Sequence, residues 1–296
     1  MTNINAAAFV VVETDERLAG PVRAPENASK LSVGSIHDDA TAQKLGFRGG
    51  TVAANIHFEQ FPPLMEAAFG RDWHKSGGLS LYFLNPTTDG EPVQAFMTRP
   101  VPRDEGGMRA QVWMEDANGV KICEGTASSG PPDEHSALRE RLKSVRPATD
   151  LRILKASKVG DQVLDIAAHL TREQTEHRAA VATERMPSYY DASVWGEVVA
   201  APALAIDALR VVEKPLFQVE GAYVGMFGAI DLQWLDGPVF VQHDYRADGR
   251  VLALSESPKT EVVWYESTLK DASDNRPVAR MVMMTRLLKA SSPHWS

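Results

Sequence analysis

Apolar residues change their spacing twice within each half of this chain, and the changes predict its elements. A short helical pattern (Ala40, Ala42, Leu45) leads to Gly46, Gly49 and Gly50, after which a helix opens on Val52, Ala53, Ala54 and Asn55. Pro62 and Pro63 stop or kink it, and a further turn or two ends at Gly70. The period then falls to two. Alternating runs at 78–85, 92–101, 109–115 and 119–128 predict strands, with turns at Asp89-Gly90 and from Asp116 to Gly119.

A second cycle follows. A helix with a broad apolar face (Val198, Val199, Ala201, Leu204, Ala205, Leu209) precedes a run opened by Gly225 and strands predicted at 239–247, 251–255, 261–269 and 278–288. Gly49 and Gly196, Gly78 and Gly225, and Asp89 and Asp236 all stand 147 positions apart, which predicts duplicated halves. The expected class is α+β: two repeated halves, each a central helix wrapped by an antiparallel sheet. The halves are 1–130 and 151–296, and 131–150, rich in Pro, Ser and alternating charge, is a linker. Residues 1–34, with a β-type run at 8–12 and a weak helical stretch from Glu26, read as a lead-in.

Composition narrows the function. With 296 residues, 44% of them hydrophobic, a sizeable core is available. A net charge of −8 with 31 scattered Lys and Arg argues against capture of nucleic acid. Cys123 is the single cysteine, so no intrachain disulfide forms, and its setting in VKICEG reads as a buried strand. The start of the sequence shows neither a basic signal-peptide region nor a membrane span, and a cytoplasmic protein without membrane contact is expected.

Candidate chemistry gathers between Ser35 and Phe61. His37, whose imidazole can pass a proton to or from water or an α-carbon, is the candidate acid/base; Asp39 reads as a helix N-cap and Asp38 as the neighbour able to orient His37. Small residues after the glycine turn let a ligand approach the N–H of Ala54 at a helix start. Asn55, His57 and Glu59 follow on the same helix, with Asn55 and Glu59 on one face, as candidate ligands or base. Tyr189, Tyr190 and Trp195 read as a pocket wall, Met281, Met283 and Met284 as strand core, and Arg48 and Arg99 as holders of any nucleotide portion. No metal motif accompanies His37 and His57, no phosphate loop is present, and neither metal nor cofactor is expected.

Ile36-His37-Asp38-Asp39, Gly46-Phe47, the turn before Val52-Ala53-Ala54, and LSLYFLNP followed by DGEPV resemble the MaoC-like acyl-CoA hydratases and dehydratases of the double hot-dog superfamily. That family's pattern places an Asp five residues before the His and a His-Gly-Met at the helix start; here those positions hold Ser32 and Ala53-Ala54-Asn55. The resemblance implies a homodimeric hydro-lyase for an acyl thioester. His37 would be acid/base with Asp38 or Asp39 its partner, Asn55 would hold substrate or water, and the Ala54 N–H would polarise the thioester carbonyl, with His57, Glu59, Tyr190 and Trp195 lining the site. Ile230-Asp231-Leu232-Gln233-Trp234 is similar to the acyl-CoA thioesterase II family, which implies an alternative catalytic Asp231, although Met283 stands near that family's Gln. A non-catalytic acyl-binding role is the third alternative. The 147-residue register makes Glu184 the counterpart of His37.

Overall fold

Residues 10–295 are described by the structure, a computed structural model. Strands in the first half are β1 (Val12–Glu13), β2 (Arg17–Arg23), β3 (Gly77–Phe83), β4 (Val93–Thr98), β5 (Val101–Pro102), β6 (Met108–Asp116) and β7 (Lys121–Ser129). The second half supplies β8 (Gln162–His169), β9 (Gly225–Trp234), β10 (Asp244–Glu256), β11 (Thr260–Asp271) and β12 (Pro277–Leu288). Helices α1 (Asp39–Lys44), α2 (Ala54–Phe58), α3 (Pro62–Phe69) and α4 (Trp73–Ser76) precede β3; α5 (Ala137–Lys143) links the halves; α6 (Arg172–Val181), α7 (Pro202–Leu209) and α8 (Glu213–Leu216) precede β9.

All strands join one antiparallel sheet in the order β1-β2-β4-β6-β7-β3-β9-β12-β11-β10-β8, with β5 beside β6. The two halves meet edge to edge where β3 pairs with β9, from Gly78 opposite Gln233 to Tyr82 opposite Ala229. Period-two patterning decides which face each residue takes. Leu79, Leu81 and Phe83 of β3 and Ile230, Leu232 and Trp234 of β9 pack on the helices in one core with Phe58, Phe61, Leu64, Leu204 and Leu209. Met281 and Met283 belong to that core, whereas Met284 faces the other side, against Leu138 of α5.

Pro62 and Pro63 start α3 instead of ending a long helix, because a proline at the first helical positions gives up only an N–H that would have no intrahelical partner. The lead-in contributes β2, which pairs with β4, and no helix forms from Glu26. Residues 8 and 9 of the predicted β-type run lie outside the described residues. The two strands predicted at 239–247 and 251–255 are one, β10, irregular between Val251 and Ala253. The segment 131–150 carries a helix. α5 lies over the β3–β9 seam, held by Leu138 N–H to Ser80 Oγ (3.0 Å) and Ala137 N–H to Thr126 Oγ1 (2.9 Å).

The duplication is real, but its register is not 147. Thr51 N–H donates to Ile36 O and Val52 N–H to Thr87 O, as Val199 N–H does to Ser188 O and Ala200 N–H to Val239 O. Thr51 therefore matches Val199, 148 positions on (199 less 51), and Ile36 matches Ser188, 152 positions on (188 less 36). Loops of unequal length between matched elements shift the register, so glycine landmarks can agree while the backbone does not.

Candidate active site

His37 follows a tight turn and immediately precedes the N-cap of α1. Its N–H donates to Ser35 Oγ (3.1 Å), and its carbonyl accepts from Asn27 Nδ2 (2.7 Å). The ring is fixed by Nδ1, 2.7 Å from the carbonyl oxygen of Thr51. A carbonyl only accepts, so Nδ1 carries the proton and a neutral ring keeps its lone pair on Nε2.

The ring lines a cavity of about 100 Å3 together with Thr51, Val52, Ala53, Ala54, His57 and Thr87, closed from the second half by Met226, Phe227 and Arg286. Helix α2 enters this cavity with its first turn, and its N-cap, Ala53, offers no side-chain acceptor to the helix N–H groups. Ala54, the first residue of α2, lines the same cavity as His37, and an N–H at a helix start, which has no intrahelical partner, suits an oxygen gaining negative charge. His57 is buried, and desolvation lowers its pKa to about 4, so the ring is neutral. Gln60 Nε2 lies 3.4 Å from His57 Nδ1 and Thr87 Oγ1 2.7 Å from His57 Nε2. In that orientation Gln60 donates to His57 and His57 to Thr87, leaving the Thr87 hydroxyl proton for an acceptor in the cavity.

Neither aspartate takes its expected place, and neither bonds the His37 ring. Asp38 is the N-cap of α1, accepting from Ala40, Thr41 and Gly34 N–H groups; the Thr41 side chain first, and then these N–H groups, hold its carboxyl below the usual range. Asp39 Oδ1 accepts the Gly50 N–H at 2.7 Å and so fastens the glycine turn. Ser32 is exposed in a turn and does not line the cavity.

Other sequence candidates lie elsewhere. Asn55 points its Oδ1 to a buried position without a hydrogen-bond partner and does not line the cavity with His37. Glu59 is buried against Arg178 Nε at 3.0 Å, and burial raises its pKa despite that partner. Tyr190 is 42% exposed and outside the cavity, while Trp195 lies under the Lys75 ammonium at 5.1 Å. Asp231 is on the opposite face of the sheet, beneath α5, bound to Arg139 Nε at 2.9 Å, and burial pushes its pKa up to about 6. Arg48 pairs with Glu91 and Arg99 with Glu13. Burial raises the Cys123 thiol. Among the described residues no group of three His, Cys, Asp or Glu is placed to hold a metal ion, and no helix is long and apolar enough to cross a membrane.

Sequence reasoning missed Thr87, Met226, Phe227 and Arg286. The last three belong to the half without the His-Asp motif, and only the sheet seam brings them to His37.

No protein-family model matches the sequence, and a search of curated proteins finds no match. Solved structures do match over nearly the whole chain. One, named for a MaoC domain protein dehydratase from Chloroflexus aurantiacus J-10-fl, superposes with a TM-score of 0.64 at 10% identity, covering 97% of this chain and 99% of its own. A Mycobacterium tuberculosis protein described as a double hotdog fold gives 0.60 at 12% identity, covering 96% and 97%. The chain is a double hot-dog. A MaoC-like dehydratase gives 0.54 at 16% identity, covering 96% and 99%, and at these identities the likeness is one of fold.

The halves of this double hot-dog are unequal at the site. Since Ile36 matches Ser188, the counterpart of His37 is Tyr189, a buried residue of the turn before α7, and not Glu184. Glu184 is instead buried in an ion pair with Arg23, its Oε2 3.0 Å from Arg23 Nη2.

Proposed function

We propose that this protein adds water to, or removes it from, an acyl thioester, with His37 as the acid/base. The carrying observation is the 2.7 Å contact of His37 Nδ1 with the Thr51 carbonyl, which leaves Nε2 as the reactive nitrogen beside the uncapped start of α2. In hydration, Nε2 takes a proton from water as the oxygen bonds the β-carbon of a 2-enoyl thioester, and the protonated ring then returns that proton to the α-carbon. Negative charge that gathers on the thioester oxygen meanwhile is met by the Ala54 N–H and the Thr87 hydroxyl. Asp38 and Asp39 are positioning residues: one anchors the helix after His37, the other the turn that covers its carbonyl. The fold shared with solved MaoC-like dehydratases supports the same reading.

His37→Ala should lower turnover of a short 2-enoyl-CoA at least about 100-fold, the range a positioned acid/base supplies. Stability should change by no more than about 1 kcal/mol, since one partly buried hydrogen bond is lost. Hydration followed by absorbance, with urea denaturation of the same samples, checks both; wild-type-like turnover would remove His37 from the reaction.

A further inference from the structure

His37 also borders a second, larger cavity. It measures about 570 Å3 and lies between the end of α7, α8, the start of β9 and the end of β12. The two cavities share His37, Gly225, Met226 and Phe227, so a ligand reacting at His37 has one arm's length of space on the second-half side. Phe217, Val219 and Leu287 make part of the wall apolar.

The rest of that wall is unsuited to an alkyl chain. Arg210 donates from Nε and Nη2 to Glu213 at 3.0 and 2.7 Å, and Tyr265 OH adds a third donor to Glu213 at 2.7 Å. Arg210 Nη1 reaches no nearer than 3.7 Å to Asp207, which leaves its protons weakly used. Thr285 Oγ1 is buried without a hydrogen-bond partner, and the exposed Lys214 stands at the rim. Filling this space with methylene groups would strip water from an ion pair and satisfy none of these donors. An oxygen atom placed there would accept from Arg210, Thr285 or Lys214.

Resting on the hydro-lyase reading above, we infer that the cavity selects an acyl group with an oxygen function, hydroxyl or carboxylate, at the end away from the thioester. Thr285 and Arg210 recognise that oxygen in either form, and Lys214 adds attraction only for the carboxylate.

Calorimetric binding of saturated acyl-CoAs reads this pocket whether or not any reaction occurs. The probes are butanoyl-CoA, four-carbon acyl-CoAs ending in hydroxyl or in carboxylate, and decanoyl-CoA. At least one oxygenated ligand should bind about tenfold or more tightly than butanoyl-CoA, as expected of a pocket built to hydrogen-bond its ligand. Thr285→Val, close in shape and at home in a strand, should erase most of that preference and leave butanoyl-CoA within about twofold. Lys214→Met should weaken the carboxylate ligand alone, which separates the two oxygen sources. Tightest binding of decanoyl-CoA, or an equal effect of Thr285→Val on every ligand, would overturn the inference. Enoyl-CoA hydration without an oxygen preference in binding would refute the pocket and spare the proposed function; absence of binding by all four would refute both.

Discussion

Gly50 passes so close to His37 that a Cβ built on it would stand 2.2 Å from the His37 carbonyl oxygen. Its φ is not positive, so glycine is required by approach and not by backbone conformation. Gly50→Ala must push the His37 turn outward, and we expect a loss of about 2 kcal/mol or more with a fall in turnover. Urea denaturation and activity unchanged in that variant would contradict the clamp. His57 gives a pH signature. Its folded pKa of about 4 lies below the ordinary 6.5, so between those values the unfolded chain binds more protons. Its contribution is present above about pH 6.5 and is lost as pH falls through 4, by up to about 3 kcal/mol. His57→Gln should flatten that part of the profile, and urea midpoints at pH 7 and 4.5 would show it; equal slopes in both proteins would exclude His57 as the source. The motif was legible around His37, whereas which aspartate caps α1 depended on turn geometry that spacing does not encode.

Elements were read well where one periodicity ran uninterrupted, as in β3 and β11, and missed where composition pointed away. Helix α5 sits in a Pro- and Ser-rich segment, and β8 is irregular opposite β10, with Asp165 at φ 61°. Helix α6 did leave a signal: Thr171 and Gln174 form a capping box, the spacing that marks a helix start. Helix α5 covers the seam through charge as well as packing. Arg139 bonds both Asp231 and Glu266, and Asp231 is only 1% exposed. Arg139→Met would leave the Asp231 carboxylate buried without its cation, at a cost of about 3–5 kcal/mol at pH 7. The folded pKa of Asp231, about 6, already exceeds its model-compound value of 3.8. Stability from the protonated form is therefore complete below about 3.8 and lost as pH rises through 6, more steeply without Arg139. The deficit should be larger at pH 7 than at pH 5 in paired urea titrations, and a deficit independent of pH would detach Asp231 from it.

The molecule as a whole is built so that neither half closes alone. One apolar core contains residues of both halves, and β3 has β7 on one side and β9 on the other. Trp73 and Trp234, from different halves, meet edge to face with centroids 6.1 Å apart. Removing either half would bare a strand edge and this core together. We therefore expect one cooperative unfolding transition, with tryptophan fluorescence and far-ultraviolet circular dichroism superimposable in urea. Two separated transitions would mean that the halves are independently stable.

Local patterning by itself determined that the chain alternates helix and antiparallel strands twice, and that His37 and the start of α2 lie near one another, because both follow from residues close in sequence. Tertiary structure alone decided the rest. The seam between β3 and β9 brings Met226 and Arg286 to a cavity begun by His37, and the same pleat turns Asp231 to the opposite face. A repeat of glycines could announce the duplication without fixing its register, since loop lengths change freely while hydrogen-bonded partners such as Thr51 with Ile36 and Val199 with Ser188 do not. That is why the place matching His37 fell to Tyr189, a result available only once the backbone pairings are known.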